Sequence, residues 1–144
     1  MKKILFLCIG MILIMTNLAF ADTLDSEGAI RVFTDTIMEK VAAGDFDAAF
    51  EMIKPYILLS SAEVDSVLEK TKSLRDQYGS RYGKSTGYAY LDSKKVGKIL
   101  LRLRYVEQTN RHALPWVFYF YKSEDGWILN SFDWNDIYKD LFEK

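Results

Sequence analysis

The sequence predicts an α+β domain in which N-terminal helices pack on a curved antiparallel sheet of about four strands. Three observations predict it. Apolar residues recur at three- and four-residue steps from Ser26 to Tyr78, and from Tyr88 onward the period falls to two. Ser123-Glu124-Asp125-Gly126 then separates two aromatic runs with the composition of a tight hairpin, glycine at the position that tolerates positive φ. No Pro/Gly/Ser linker, low-complexity tract or internal repeat divides the chain, so residues 22–144 read as one domain.

The first helix is expected from about Ser26 to Ala43, with Ile30, Phe33, Ile37, Met38 and Val41 as its apolar stripe, Asp25 or Ser26 as cap and Gly44 as stop. Asp45 caps a second, shorter helix that buries Phe46, Ala49, Phe50 and Ile53, and Pro55 closes it. Ser60 and Glu63 have the spacing of a capping box at the start of a third helix. Its stripe is Val64, Val67, Leu68, Leu74 and Tyr78, with Gly79 as its stop. The glycine-rich, basic stretch from Gly79 to Gly87 reads as loop.

Tyr88 to Leu91 reads as the core of the first strand, and Asp92 to Lys95 as a turn. Val96 to Gln108 reads as a long second strand, with Ile99, Leu101, Leu103 and Tyr105 on one face and Lys98, Arg102 and Arg104 mainly on the other. Leu114 to Tyr121 is a third strand, apolar on both faces: Trp116, Phe118 and Phe120 one way, Val117, Tyr119 and Tyr121 the other. The second face of that strand needs cover, which a homodimer partner, the curl of the sheet or the C-terminal segment could provide. Trp127 to Trp134 is the fourth strand, and Asn135 to Phe142 a short helix or an ordered tail.

The first 21 residues have the order of a secretory signal: Lys2 and Lys3, an apolar run from Ile4 to Met15, then Ala19-Phe20-Ala21. Cleavage is expected between Ala21 and Asp22, giving a periplasmic or secreted protein that meets the membrane only through its leader. The apolar run is short of the roughly 20 residues of a bilayer span; an uncleaved leader acting as tether is the alternative. Cys8 lies inside the run and away from the cleavage point, which argues against a lipid anchor.

The leader takes the only cysteine with it, so the mature domain has no disulfide. Losing Lys2 and Lys3 also leaves 17 basic side chains against 20 acidic ones. That balance gives no electrostatic reason to expect nucleic acid. One histidine and no cysteine exclude the usual zinc sites, and no EF-hand spacing appears, so no cofactor is expected.

The segment Ala42-Ala43-Gly44-Asp45-Phe46-Asp47-Ala48-Ala49 is similar to the opening of nuclear-transport-factor-two-like domains, in which an amphipathic helix ends in a Gly-Asp turn before a second short helix. The run Tyr119-Phe120-Tyr121-Lys122 to Gly126-Trp127-Ile128-Leu129, ending at Phe132-Asp133-Trp134, resembles the last two strands of that superfamily. The likeness covers most of residues 26–134. It implies a cone-like fold with a pocket at its open end, in a superfamily that includes isomerases, dehydratases and hydrolases as well as pure binding proteins. Dimers across the sheet are common in it, and many exported bacterial domains share the pattern. The catalytic residues of its isomerase branch find no counterpart here, so none is assigned.

The candidate ligand or partner surface comprises Tyr105, Trp116, Tyr119, Tyr121, Trp134, Asp133, Arg102 and Arg104. The aromatics could line a cleft or fill core, and the tyrosine-bearing face of the third strand is the better wet surface. Arg102 and Arg104 could clamp a carboxylate or phosphate, or stand as ordinary outer-face cations. Asp133 could titrate among aromatics or cap the terminal segment, Glu107 could stand at a pocket mouth or just past the core, and His112 reads as a solvated loop residue. The basic side chains between Lys70 and Lys84 could touch an anionic partner or simply suit a helix end.

The reading is an exported, non-enzymatic binding or interaction module for an unknown small molecule or protein. The alternative is a small acid/base enzyme of isomerase, lyase or hydrolase type. A buried, close pair among Asp133, Glu107, His112, Arg102 and the tyrosines would favour the enzyme, and an exposed aromatic patch the binding module.

Overall fold

The computed structural model describes residues 20–142. The expectations for Lys2, Lys3, Cys8 and the apolar run lie outside the described residues. Among the described residues no helix is long and apolar enough to cross a membrane.

Helix α1 (Glu27–Ala42) starts at Ser26, whose hydroxyl accepts the Ala29 N–H, and it buries the five stripe residues together with Thr34. Helix α2 (Phe46–Ile53) is capped by Asp45 and buries Ala49, Phe50 and Ile53. Pro55 sits in a short 3-10 turn, Lys54–Tyr56. Helix α3 (Ser61–Tyr82) carries the capping box in full, with Ser60 and Glu63 each accepting the other's backbone N–H. It continues through Gly79, the expected stop, and ends at Gly83, whose φ of 81° breaks the helix.

The strands form an antiparallel sheet in the order β1-β2-β3-β4: β1 (Ser85–Val96), β2 (Leu100–Thr109), β3 (Ala113–Lys122) and β4 (Trp127–Trp134). The sheet is an open meander with the helices on one face, the α+β architecture expected. The segment Gly79–Gly87 is mostly not loop: its first residues end α3 and its last begin β1. The break at Gly83 and Lys84 is fastened by Asn110, whose Oδ1 accepts the Lys84 N–H at 2.9 Å.

Asp92–Lys95 is strand rather than turn, because those residues pair across β2, Asp92 opposite Arg104 and Lys94 opposite Arg102. The chain reverses instead at Gly97, with φ 59°. β2 therefore begins at Leu100, and Ile99 lies exposed beside the turn rather than on the inner face.

Alternation sorts the sheet into rows. On the inner face Tyr90, Tyr105, Trp116 and Trp134 stand opposite one another across all four strands, next to the row Ser93, Leu103, Phe118 and Phe132. The inner face meets α1 and α2 in the core, with Phe50 edge-on to Phe132 and Phe33 edge-on to Phe120 of the following row. The β4 edge is partly covered, by Leu24 bridged to Trp127 and Ile57 bridged to Leu129. After β4 a short 3-10 helix, Tyr138–Phe142, is the last of the described elements.

Candidate functional site

Among the described residues the most buried charged side chain is Glu107, on the inner face of β2 and fully enclosed. Arg75 of α3 grips it with two parallel bonds of 2.6 Å, Nη1 to Oε2 and Nη2 to Oε1, and the Trp116 indole N–H donates to Oε2 at 3.1 Å. The guanidinium is itself packed between Phe46 and Trp134. A general base needs a lone pair free for the substrate proton. Both oxygens of Glu107 are engaged, so the arrangement is a satisfied internal ion pair that ties α3 to the sheet.

A second internal network joins α1 to the sheet. The Tyr105 hydroxyl donates to Asp35 Oδ1 at 2.8 Å and meets Thr34 Oγ1 at 2.7 Å. Burial is the main cause that pushes the Tyr105 phenol far above its ordinary value; Asp35 adds to the rise and the Thr34 bond opposes it. Arg31 holds both Asp35 oxygens and lies 3.5 Å over the Tyr90 ring. Tyr105 thus stays a neutral donor, placed to hold α1 rather than to exchange protons.

Where the helices and sheet part, between α1, α3 and the β2–β3 turn, lies a hollow of about 320 Å3. Arg75, Tyr78, Tyr82, Lys84 and Thr109 line it, and Ala43, Gly44 and Gly79 leave it empty of side chains. His112 is not a free loop residue. It stacks on Tyr82 at 4.1 Å with its Nε2 2.9 Å from the Asp136 carbonyl, and Tyr82 donates to the Asp136 carboxylate at 2.6 Å. These contacts fasten the C-terminal segment to the rim of the hollow.

Among the described residues no helix lies on the outer face of the sheet, and three rows cross it. Asp92, Arg104, Val117 and Asp133 form the first, in which Arg104 binds both Asp92 oxygens. The Arg104 guanidinium, with Arg102 helping, holds the Asp92 carboxyl below its ordinary value. Lys94, Arg102, Tyr119 and Ser131 form the second row, and Val96, Leu100, Tyr121 and Ile128 the third. Between the second and third rows runs a groove of about 500 Å3, lined by Lys94, Val96, Leu100, Arg102, Tyr119 and Ser131. A bulge between Tyr119 and Phe120 adds Asn130 to its wall.

The structure divides the residues singled out from the sequence. Tyr105 and Trp116 are buried in the core, at 0% and 1% exposure, so they offer no surface. Trp134 is half-buried, its indole N–H donating to Thr71, and with Asp133 it borders a separate hollow of about 310 Å3 beside α3. Asp133 caps its own neighbour, the Trp134 N–H, rather than the terminal helix, and Asn135 accepts the Ile137 N–H. Tyr119, Tyr121, Arg102 and Arg104 come together on the outer face.

Sequence reasoning missed Lys94, because Asp92–Lys95 reads as a turn and a turn has no cross-strand partner. It also missed Arg75 as the partner of Glu107, which needs α3 and β2 in contact. Glu107 itself carried a usable signal: an acid in phase with Leu103 and Tyr105 must find a cation or stay uncharged. Among the described residues no cluster of three metal-ligating side chains forms.

No family model matches the chain, and neither a curated protein nor a solved structure does.

Proposed function

We propose that the chain is an exported, non-enzymatic binding module whose ligand or partner sits on the outer face of the sheet, in the groove between Arg102, Tyr119 and Leu100. The observation that carries this reading is the exposure of that face. Val96, Leu100, Tyr119 and Tyr121 are 60%, 42%, 43% and 44% exposed, on a surface that no described element covers. A contiguous apolar and aromatic face rimmed by charges is what interaction sites have. The acid/base alternative loses ground because Glu107, Tyr105, His112 and Asp133 sit in four separate environments, the first two already bonded to capacity. Helices followed by a meander fit the nuclear-transport-factor-two-like expectation, which remains part of this proposal.

The test uses a neutral solvatochromic dye, Nile red, with residues 22–144 and a Leu100→Glu variant. Saturable, stoichiometric dye fluorescence that the variant abolishes supports the reading. Absence of saturable binding, or equal binding by the variant, overturns it. Export is supported by the leader pattern, Lys2 and Lys3 before an apolar run that ends in Ala19-Phe20-Ala21. Intact mass of exported protein should begin at Asp22; a mass retaining Met1 or Lys2 would refute cleavage.

A further inference from the structure

The outer groove has a chemical polarity of its own. Its second row places Lys94 directly opposite Arg102, a pairing of like charges that opposes sheet formation. The two cations differ in their partners, and Arg102 only shares its carboxylate with Arg104. Lys94 has no ion pair among the described residues. Arg102 reaches Asp92 only at 3.4 Å, beyond good hydrogen-bond distance, because Arg104 already holds that carboxylate. The Arg102 Nε–H is buried without an acceptor among the described residues. Tyr119 and Ser131 complete the row, so an ammonium, a guanidinium and two hydroxyls stand in line across the sheet.

The third row, one step towards the β1–β2 turn, is Val96, Leu100, Tyr121 and Ile128. Three interstrand gaps of about 4.8 Å give it a length of about 14 Å, the reach of a medium-chain acyl tail. We propose, on the basis of the binding face above, that the groove takes an anionic amphiphile, a carboxylate on an apolar tail. The carboxylate lies between Lys94 and Arg102 with the Tyr119 hydroxyl donating; the tail starts on Val96 and Leu100 in the groove wall and continues beyond the groove across Tyr121 and Ile128. Charge complementarity carries the choice of head: the row holds two cations, and the one nearby carboxylate among the described residues that reaches it, Asp92, is shared between Arg102 and Arg104. A bound carboxylate turns a repulsive cross-strand pair into a bridged one, and its two oxygens match the guanidinium edge.

The experiment is displacement of Nile red from residues 22–144 by decanoate, decanol and decyltrimethylammonium. Variants Lys94→Gln and Lys94→Gln/Arg102→Gln are run beside the native chain, with circular dichroism melts as a fold control. Decanoate is expected to displace the dye at about tenfold lower concentration than decanol, and the ammonium amphiphile to be weakest. The single variant should narrow that preference and the double variant erase it. Decanoate should also raise the melting temperature of the native chain more than that of the double variant.

If the dye binds but decanoate and decanol displace it alike, the charged-row inference is overturned while the binding face stands. If neither dye nor decanoate binds, both fall. A dimer that admits neither puts a second copy on the face and likewise overturns the proposal.

Discussion

Arg75→Ala is the sharpest perturbation of the fold. It removes both Nη donors from Glu107 and leaves a fully buried carboxylate with only the Trp116 indole N–H as partner. Breaking a buried pair by deleting one member costs about 3–5 kcal/mol, because the survivor cannot regain its hydration. The lost packing of the Arg75 stem against Phe46 and Trp134 adds to that. A domain of about 120 residues loses about 4 °C of melting temperature per kcal/mol, so the variant should melt about 12–20 °C lower.

Two companions isolate the cause. Lys72→Ala breaks an exposed pair with Asp47 and should cost about 1 kcal/mol or less. Arg75→Met with Glu107→Leu replaces the whole pair by apolar atoms and should recover stability to within about 2 kcal/mol of the native chain. Urea and thermal unfolding followed by circular dichroism give all three values. A cost for Arg75→Ala no larger than that for Lys72→Ala would refute the reasoning, as would a double variant worse than the single one.

Tyr105→Phe should cost about 1–3 kcal/mol at neutral pH, since Asp35 and Thr34 lose a buried partner. The same residue sets an alkaline limit. Its proton is held more tightly in the folded chain, so its contribution is full below the unfolded value of about 10 and falls as pH rises beyond it. Unfolding free energy measured from pH 8 to 11.5 should fall less steeply in Tyr105→Phe; an unchanged slope would contradict this. Gly126 has φ 143°, and a Cβ there would lie 2.9 Å from the Leu24 carbonyl oxygen. Gly126→Ala should therefore cost about 1–3 kcal/mol and speed amide exchange at Leu24, whereas Gly97→Asn, at an open turn with φ 59°, should fold normally.

Much of the fold was legible in the chain, for local reasons. Ser26, Asp45 and the Ser60/Glu63 box act within one turn of their helices, and the alternation of Trp116 to Tyr121 states directly which rings face in. The start of the fourth strand at Trp127 follows from the glycine turn before it. What was hidden depends on partners far along the chain. Asp92-Ser93-Lys94-Lys95 has turn composition, yet its pairing with Leu101–Arg104 outweighs that local preference. Gly79 can stop a helix, but with open space around it α3 simply continues. The candidate site was half visible: Tyr119, Tyr121, Arg102 and Arg104 follow from alternation, whereas Lys94 and Ser131 appear only once register is known. Tyr105 and Trp116 were ambiguous because a large ring with one polar atom suits core and cleft alike, and the core supplied the partners Asp35, Thr34 and Glu107.

Binding at the outer sheet face is the proposal from which the groove and its ligand follow. The direct measurement is a two-dimensional NMR titration of isotope-labelled residues 22–144 with decanoate, reading which amides move. Binding at the outer face should shift Lys94, Arg102, Tyr119 and Ser131 and the amides along Leu100 and Tyr121, with the rim of the other hollow at Tyr78, Tyr82 and Thr109 unmoved. Shifts gathered at that rim instead, around Arg75 and Lys84, would contradict it and return the site to the space between helices and sheet.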